Sequence, residues 1–242
     1  MEENKTNTYP ETGEVILIDK DLYWTSFDVV RKVKNVLCNK HGLKKLKVGH
    51  AGTLDPLATG LVIICSGRQT KNIQSFQDSE KEYITTIRLG GTTPSFDLET
   101  GIDKTFPFEH ITNDAVLSVL ESFEGPQDQV PPVFSAKNLN GKRAYEYARK
   151  GKEISLKPNR VEFYKLELIR FEPPFLTIRM VCSKGTYVRA FARDIGTALD
   201  SGAHLTELRR TRIGLFNVEN ALTVSQFTMK TGMQKTGYSS QD

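Results

Sequence analysis

The stretch KVGHAGTLDPLATG, residues 47–60, holds the residue types in this chain best suited to covalent chemistry. Gly52 and Gly60 permit close backbone approach or positive φ, and Pro56 pushes Asp55 out of the helical region. The Asp55 carboxylate is therefore presented from a stiff, extended loop. A carboxylate held in this way can act as a nucleophile. The same local structure also suits a turn aspartate that accepts backbone N–H bonds, so residue types alone leave both readings open.

Other chemistries are poorly served. Cys38, Cys65 and Cys182 are scattered and lack CxxC spacing, which points to buried thiols and not to a disulfide framework. His41, His50, His110 and His204 are equally dispersed, with no HExxH, so no metal is expected. Asp200-Ser201-Gly202 occurs once, whereas aspartic-protease chemistry needs two carboxylates side by side.

The elements that must position Asp55 follow from hydrophobic spacing. LVIICSG, residues 61–67, is a short apolar run that predicts a buried strand fed directly by the loop. EVILIDK (14–20) predicts a strand. FDVVRKVKNVL predicts a helix with Thr25 or Ser26 as N-cap, Phe27, Val30, Val33 and Val36/Leu37 on its apolar face, and Gly42 beyond its end. KEYITTIRLG (81–90) alternates Tyr83, Thr85, Ile87 and Leu89 against Ile84, Thr86 and Arg88, the period of a strand. TNDAVLSVLESFEG (112–125) predicts a helix capped by Thr112 or Asn113 and stopped by Gly125. Two β-rich runs flank Pro173-Pro174 as a hairpin would, a helix is expected over 187–199, and a last strand near RIGLFNVENAL. A Gly-rich basic loop and a short cationic helix lie between Pro132 and Gly151. Strands in adjacent pairs interrupted by isolated helices indicate an α+β fold with a mixed, largely antiparallel sheet flanked by helices and loops.

Composition supports a globular chain. Its 242 residues are 38% hydrophobic and 26% charged, which argues against collagenous, coiled-coil and wholly disordered classes. No window approaches eighteen apolar residues and MEENKTNTYPET has no apolar h-region, so neither a membrane span nor a secretory signal is read, and a cytoplasmic location is expected. Charge is uneven. Residues 134–213 hold 17 lysines and arginines against 8 acids, which leaves the rest of the chain at −5 within a total of +4. Such a stretch suits a polyanion, and equally suits a solvated lysine-rich face.

GHAGTLDPLATGLVIICSGRQTK resembles the signature of the TruB-type tRNA pseudouridine synthases. The resemblance continues in family order over about residues 14–215: KEYITTIRLG with DLETG, PPVFSAKNLNGKRAYEYAR, CSKGTYVRAFARDIGTAL and HLTELRRTRIG each match a family segment. It implies a pseudouridine-synthase-like fold and isomerisation of uridine to pseudouridine at position 55 in the tRNA T loop, without cofactor or metal. The target base lies inside folded RNA, so it must be flipped out to be reached. The resemblance makes Asp55 the nucleophile, Tyr83 the ring that stacks on the flipped uracil and a candidate for proton removal, and Arg189 the partner of Asp55. It places Tyr187 and Leu208 against the target uridine, His50 in the gap left by the flipped base, and Asp97 near the site.

The same resemblance makes about 126–155 an RNA-clasping insertion, whose Lys142, Arg143 and Arg149 would meet phosphates. Residues 13–228 form the expected catalytic domain between a flexible N-terminus (1–12) and tail (229–242), without the C-terminal PUA-type domain of many relatives. The expected partner is the tRNA T stem-loop, bound by a monomer. One departure stands out: the family's Lys-Pro-x-Gly before Thr-Ser reads Lys20-Asp21-Leu22-Tyr23 here, losing proline and glycine. A binding protein that uses the same basic surface without catalysis is the alternative, and it predicts loss of Asp55, Tyr83 or Arg189, all of which are present.

Overall fold

The structure, a computed structural model, describes residues 9–135, 138–139, 142–143 and 156–233. Two units partition the chain: residues up to Ser79 together with those from Arg209 onward, and Glu80–Leu208.

In the first unit, the one-turn helix α1 (Tyr9–Thr12) leads into β1 (Val15–Lys20), whose alternating burial turns Ile16, Ile18 and Lys20 inward. Helix α2 (Ser26–His41) starts at a reciprocal cap. The Thr25 hydroxyl accepts the Asp28 N–H at 3.0 Å while the Asp28 carboxylate accepts the Thr25 N–H at 3.2 Å, an arrangement that contributes about 1 kcal/mol. Gly42 ends the helix in the left-handed region. The buried stripe is Val29, Val33 and Leu37. Phe27, which the apolar spacing assigns to that stripe, is instead 69% exposed, because at 3.6 residues per turn it stands about 200° around the helix from Val29. Strand β2 (Val48–His50) pairs antiparallel with β3 (Thr59–Ser66), which also pairs antiparallel with β1. Strand β3 is buried from Gly60 to Ser66, as its unbroken apolar run requires. A 3₁₀ turn (Gly67–Asn72) and helix α3 (Ile73–Asp78) complete this segment.

The second unit opens with β4 (Lys81–Leu89), which buries the alternating set that begins Lys81, Tyr83, Thr85. Strands β5 (Gly91–Thr92) and β6 (Lys104–Thr105) pair with each other. Thr112 caps α4 (Asn113–Phe123), accepting the Ala115 N–H at 3.2 Å. The helix ends at Phe123 with Glu124 as its C-cap, and Gly125 follows at φ 90°, where glycine is favoured, and opens β7 (Gly125–Gln129). Strands β8 (Asn138–Leu139) and β9 (Lys142–Arg143) form a small antiparallel pair. The hairpin around Pro173-Pro174 is present as β10 (Asn159–Glu172) and β11 (Phe175–Cys182). Helix α5 (Val188–Ala198) packs Phe191 against Phe163 and Phe123, with centroids 5.0 and 5.8 Å apart.

Strand β12 (Ala203–Ile213) contributes Ala203–Leu208 to the second unit, where the strand order is β12-β4-β11-β10-β7. Its remainder, Arg209–Ile213, belongs to the first unit and runs parallel to β3, with Arg210 opposite Gly60. The last long strand thus lies earlier than expected. Gly214, at φ 52°, turns the chain so that RIGLFNVENAL supplies only the end of β12, then β13 (Phe216–Asn217), a 3₁₀ turn and β14 (Leu222–Thr223). Strand β14 pairs parallel with β1, and α6 (Val224–Met233) follows. With antiparallel pairing in most ladders and parallel pairing at β1/β14 and β3/β12, the class is α+β with a mixed, largely antiparallel sheet.

Candidate active site

Asp55 sits between β2 and β3 on a loop fixed from both sides of the residue. The Ser26 hydroxyl accepts the Leu54 N–H at 2.9 Å and donates to the Leu54 carbonyl at 3.2 Å. One residue past Asp55, the Pro56 carbonyl accepts the Tyr23 N–H at 2.8 Å. The Asp55 carbonyl itself accepts the Ala58 N–H at 3.0 Å, closing a turn. Leu54 and Ala58 are buried while Asp55 is half-buried, so the loop is anchored at its apolar positions and offers its acid.

Two buried cations lie behind this loop. Arg210 donates from Nε to the Leu61 carbonyl at 2.7 Å, from Nη2 to the Gly52 carbonyl at 3.2 Å and from Nη1 to the Thr53 carbonyl at 3.4 Å. Its backbone approaches so closely that a Cβ on Gly60, at φ 106°, would stand 2.2 Å from the Arg210 carbonyl oxygen, which is why glycine is needed there. Lys20 is 1% exposed and donates to the carbonyls of Asp21 at 3.0 Å and Trp24 at 2.7 Å. Burial pulls its pKa down to about 8, the Asp55 carboxylate opposes that shift, and the Arg210 charge adds to it. Arg209 beside them grips Asp19 with both Nη atoms, at 3.0 and 2.7 Å.

His50 ends β2 on the same segment, opposite Ile64 in the register. Its Nδ1 is buried without a hydrogen-bond partner among the described residues. Burial lowers its pKa, a backbone contact at Gly52 opposes this, and the Arg210 cation reinforces it, so the ring is biased toward neutrality.

Within the second unit, Tyr83 lies on β4, 8% exposed and opposite Met180 of β11. Arg189, in the first turn of α5, is 5% exposed, donates to the Ser95 carbonyl at 3.3 Å and pairs with Asp97 at 3.5 Å. The loop carrying Asp97 is internally bonded: the Thr93 hydroxyl donates to the Asp97 carbonyl at 2.8 Å, and an Asp97 carboxylate oxygen accepts the Glu99 N–H at 2.9 Å. Tyr187 is the N-cap of α5, and Gln129 of β7 holds its backbone from both ends, accepting its N–H at 2.8 Å and donating to its carbonyl at 3.2 Å. Leu208 is a buried residue of β12. Lys142 and Arg143 lie on β9, while Arg149 and the expected cationic helix fall outside the described residues.

The structure therefore joins Asp97 to Arg189, and brings His50, Asp55, Lys20 and Arg210 together within the first unit. The sequence alone assigns no role to Lys20 or Arg210. A lysine closing a strand of alternating burial is a usable signal for the former. The latter gives none, since Arg209, Arg210 and Arg212 are indistinguishable by type. Among the described residues, no group of three or more His, Cys, Asp or Glu could hold a metal, and no helix is long and apolar enough to cross a membrane.

An acid on a loop locked to a buried strand, in an α+β fold with a largely antiparallel sheet, fits the pseudouridine synthase class. The profile of the TruB family pseudouridylate synthase N-terminal domain matches residues 40–188, and that of the tRNA pseudouridylate synthase B C-terminal domain matches 189–241. This chain belongs to the TruB family of pseudouridylate synthases. It is similar to a protein named tRNA pseudouridine synthase B from Phocaeicola vulgatus, 57% identical over 89% of this chain and 92% of the relative. A protein of the same name from Flavobacterium johnsoniae is 51% identical over 89% and 94%. Among solved structures, a chain of a Cbf5-Nop10-Gar1 complex superposes with a TM-score of 0.72 at 27% identity. That match covers 96% of this chain and 58% of the other, so this chain spans little more than half of that neighbour's length. Of the two functional readings the sequence left, the enzymatic one stands: the chain is an isomerase.

Proposed function

We propose that this pseudouridylate synthase converts uridine to pseudouridine in tRNA, at position 55 of the T loop, with Asp55 as the nucleophile. The observation that carries the reading is the rigid presentation of Asp55, bonded in place at Leu54 and Pro56 and backed by buried Lys20. A reaction that detaches a base, turns it and rejoins it through C5 needs a nucleophile whose position does not drift between steps. Arg189, oriented by Asp97, pairs with Asp55 and fixes the direction of its carboxylate. The Tyr83 ring stacks on the flipped uracil and its hydroxyl is the group that handles the C5 proton. Tyr187 and Leu208 contact the same nucleotide, a neutral His50 fills the space the base vacates, and Lys142, Arg143 and Arg149 meet phosphates of the T stem. The protein works as a monomer in the cytoplasm.

The deciding experiment maps pseudouridine in an unmodified tRNA transcript incubated with the wild-type chain and with Asp55→Asn. The variant should bind tRNA and make no pseudouridine. Substantial turnover by Asp55→Asn would sink the nucleophile, and modification away from the T loop would sink the target.

A further inference from the structure

Tyr23 occupies a position that physical chemistry would give to glycine. Its φ is 67°, in the left-handed region, where a bulky L residue is strained by contact between its Cβ and the following carbonyl. Burial does not account for its presence, because Tyr23 is 74% exposed. Nor is the backbone bond at this residue a reason for a side chain, since a glycine N–H would reach the Pro56 carbonyl equally well. The turn is also held without the ring: Lys20 donates to the carbonyls on either side, at Asp21 and Trp24, and the Trp24 N–H reaches the Asp21 carbonyl at 3.4 Å.

Tyr23 is not alone. Leu22 and Phe27 are also exposed, at 44% and 69%, so the junction between β1 and α2 displays three large apolar side chains within six residues. This patch is tied by the Tyr23–Pro56 and Ser26–Leu54 bonds to the residues immediately before and after Asp55. The Tyr23 N–H, bonded to the Pro56 carbonyl at 2.8 Å, sets this turn against the residue that follows Asp55.

We infer that Tyr23, on a turn that also exposes Leu22 and Phe27, is a stacking platform for an unpaired base of the substrate RNA beside the nucleotide received at Asp55. The inference rests on the reading of Asp55 as the residue that receives that nucleotide. The occupant is a base and not a phosphate, because Leu22, Tyr23 and Phe27 offer exposed apolar surface, and the nearby Arg31 is already engaged by Asp28. A flat ring on a rigid turn suits a base face, which stacks without regard to sequence.

The test compares tRNA affinity of the full-length wild type, Tyr23→Phe and Tyr23→Gly over a range of salt, alongside thermal melting. Tyr23→Gly relieves the backbone, so its Tm should equal or exceed that of the wild type, while its Kd for tRNA rises roughly fivefold or more. Tyr23→Phe should bind as the wild type does. Because every cation that meets a phosphate is still in place, the slope of log affinity against log salt should stay constant as affinity falls. Wild-type affinity in Tyr23→Gly, or a flattened salt slope, would overturn the stacking role. Self-association of the wild type that is abolished in Tyr23→Gly would reassign the patch to a second copy of the chain and overturn it too. Failure of the Asp55 reading is seen separately, as pseudouridine made by Asp55→Asn, and does not enter the affinity comparison.

Discussion

Ser26 and Leu54, 28 residues apart, exchange two hydrogen bonds through one hydroxyl, which serves as both donor and acceptor to the residue that precedes Asp55. Removing that hydroxyl leaves a buried N–H and a buried carbonyl without partners, at a cost of about 1–3 kcal/mol. Ser26→Ala should therefore unfold at lower denaturant and, more tellingly, lose kcat while retaining tRNA affinity, because the loop it releases holds the acid. Equal loss of kcat and affinity would show that the bond supports the whole unit and not the loop.

Lys20 predicts a pH signature. Its folded pKa lies near 8, below the ordinary lysine value of 10.5. Between those values the unfolded chain binds a proton the folded chain does not, so this group makes stability rise with pH across that window. Chemical denaturation of the wild type and Lys20→Met from pH 7 to 10.5 should show the wild type gaining relative to the variant. Parallel curves would count against the burial of its charge. In Asp55→Asn the window should open at lower pH, since the carboxylate that favours the charged lysine is gone.

Arg189 and Asp97 are both buried, so removing the carboxylate takes away one of the groups that hold the guanidinium. Asp97→Ala should destabilise the protein by about 1–3 kcal/mol. It should also lower kcat through misorientation of Arg189. Asp97→Glu, which restores the charge, should recover stability ahead of activity. A variant with full kcat would remove Asp97 from the positioning of Arg189.

The phosphate role proposed for Lys142, Arg143 and Arg149 carries a salt signature. Neutralising Lys142, Arg143 and Arg149 together should weaken tRNA binding and flatten its salt dependence, by at most roughly 0.9 in log–log slope for each phosphate no longer neutralised. An unchanged slope would return the three to an ordinary solvated face. This response is opposite in kind to that expected of Tyr23→Gly, so the two sets of variants are controls for each other.

The loop around Asp55, the cap at Thr25 and the alternation of β4 are legible in the sequence because each is fixed by neighbours a few residues away. The position of Phe27 is not, for a related reason: helical periodicity gives the spacing of a stripe, while the phase is set by what the helix packs against. Asp97 carries the faintest signal of the site residues, yet its carboxylate meets Arg189. Nothing local marks it, since the pairing spans 92 positions along the chain and depends on tertiary structure. Lys20 is marked in the sequence by its place at the end of a strand and by an altered motif, yet its burial beneath the loop cannot be read from a turn whose proline and glycine are missing.

The carbonyls that Arg210 gathers belong to Gly52, Thr53 and Leu61, about 150 residues earlier in the chain. During synthesis, the segment bearing Asp55 leaves the ribosome long before the guanidinium that fastens it exists. Until then Gly52 and Thr53 lack the Arg210 bonds that fix their carbonyls, although Ser26 and Tyr23 are already available. The Asp55 loop is thus completed by a stretch that emerges about 150 residues later, and a polypeptide halted before β12 would hold its acid on an unfinished support.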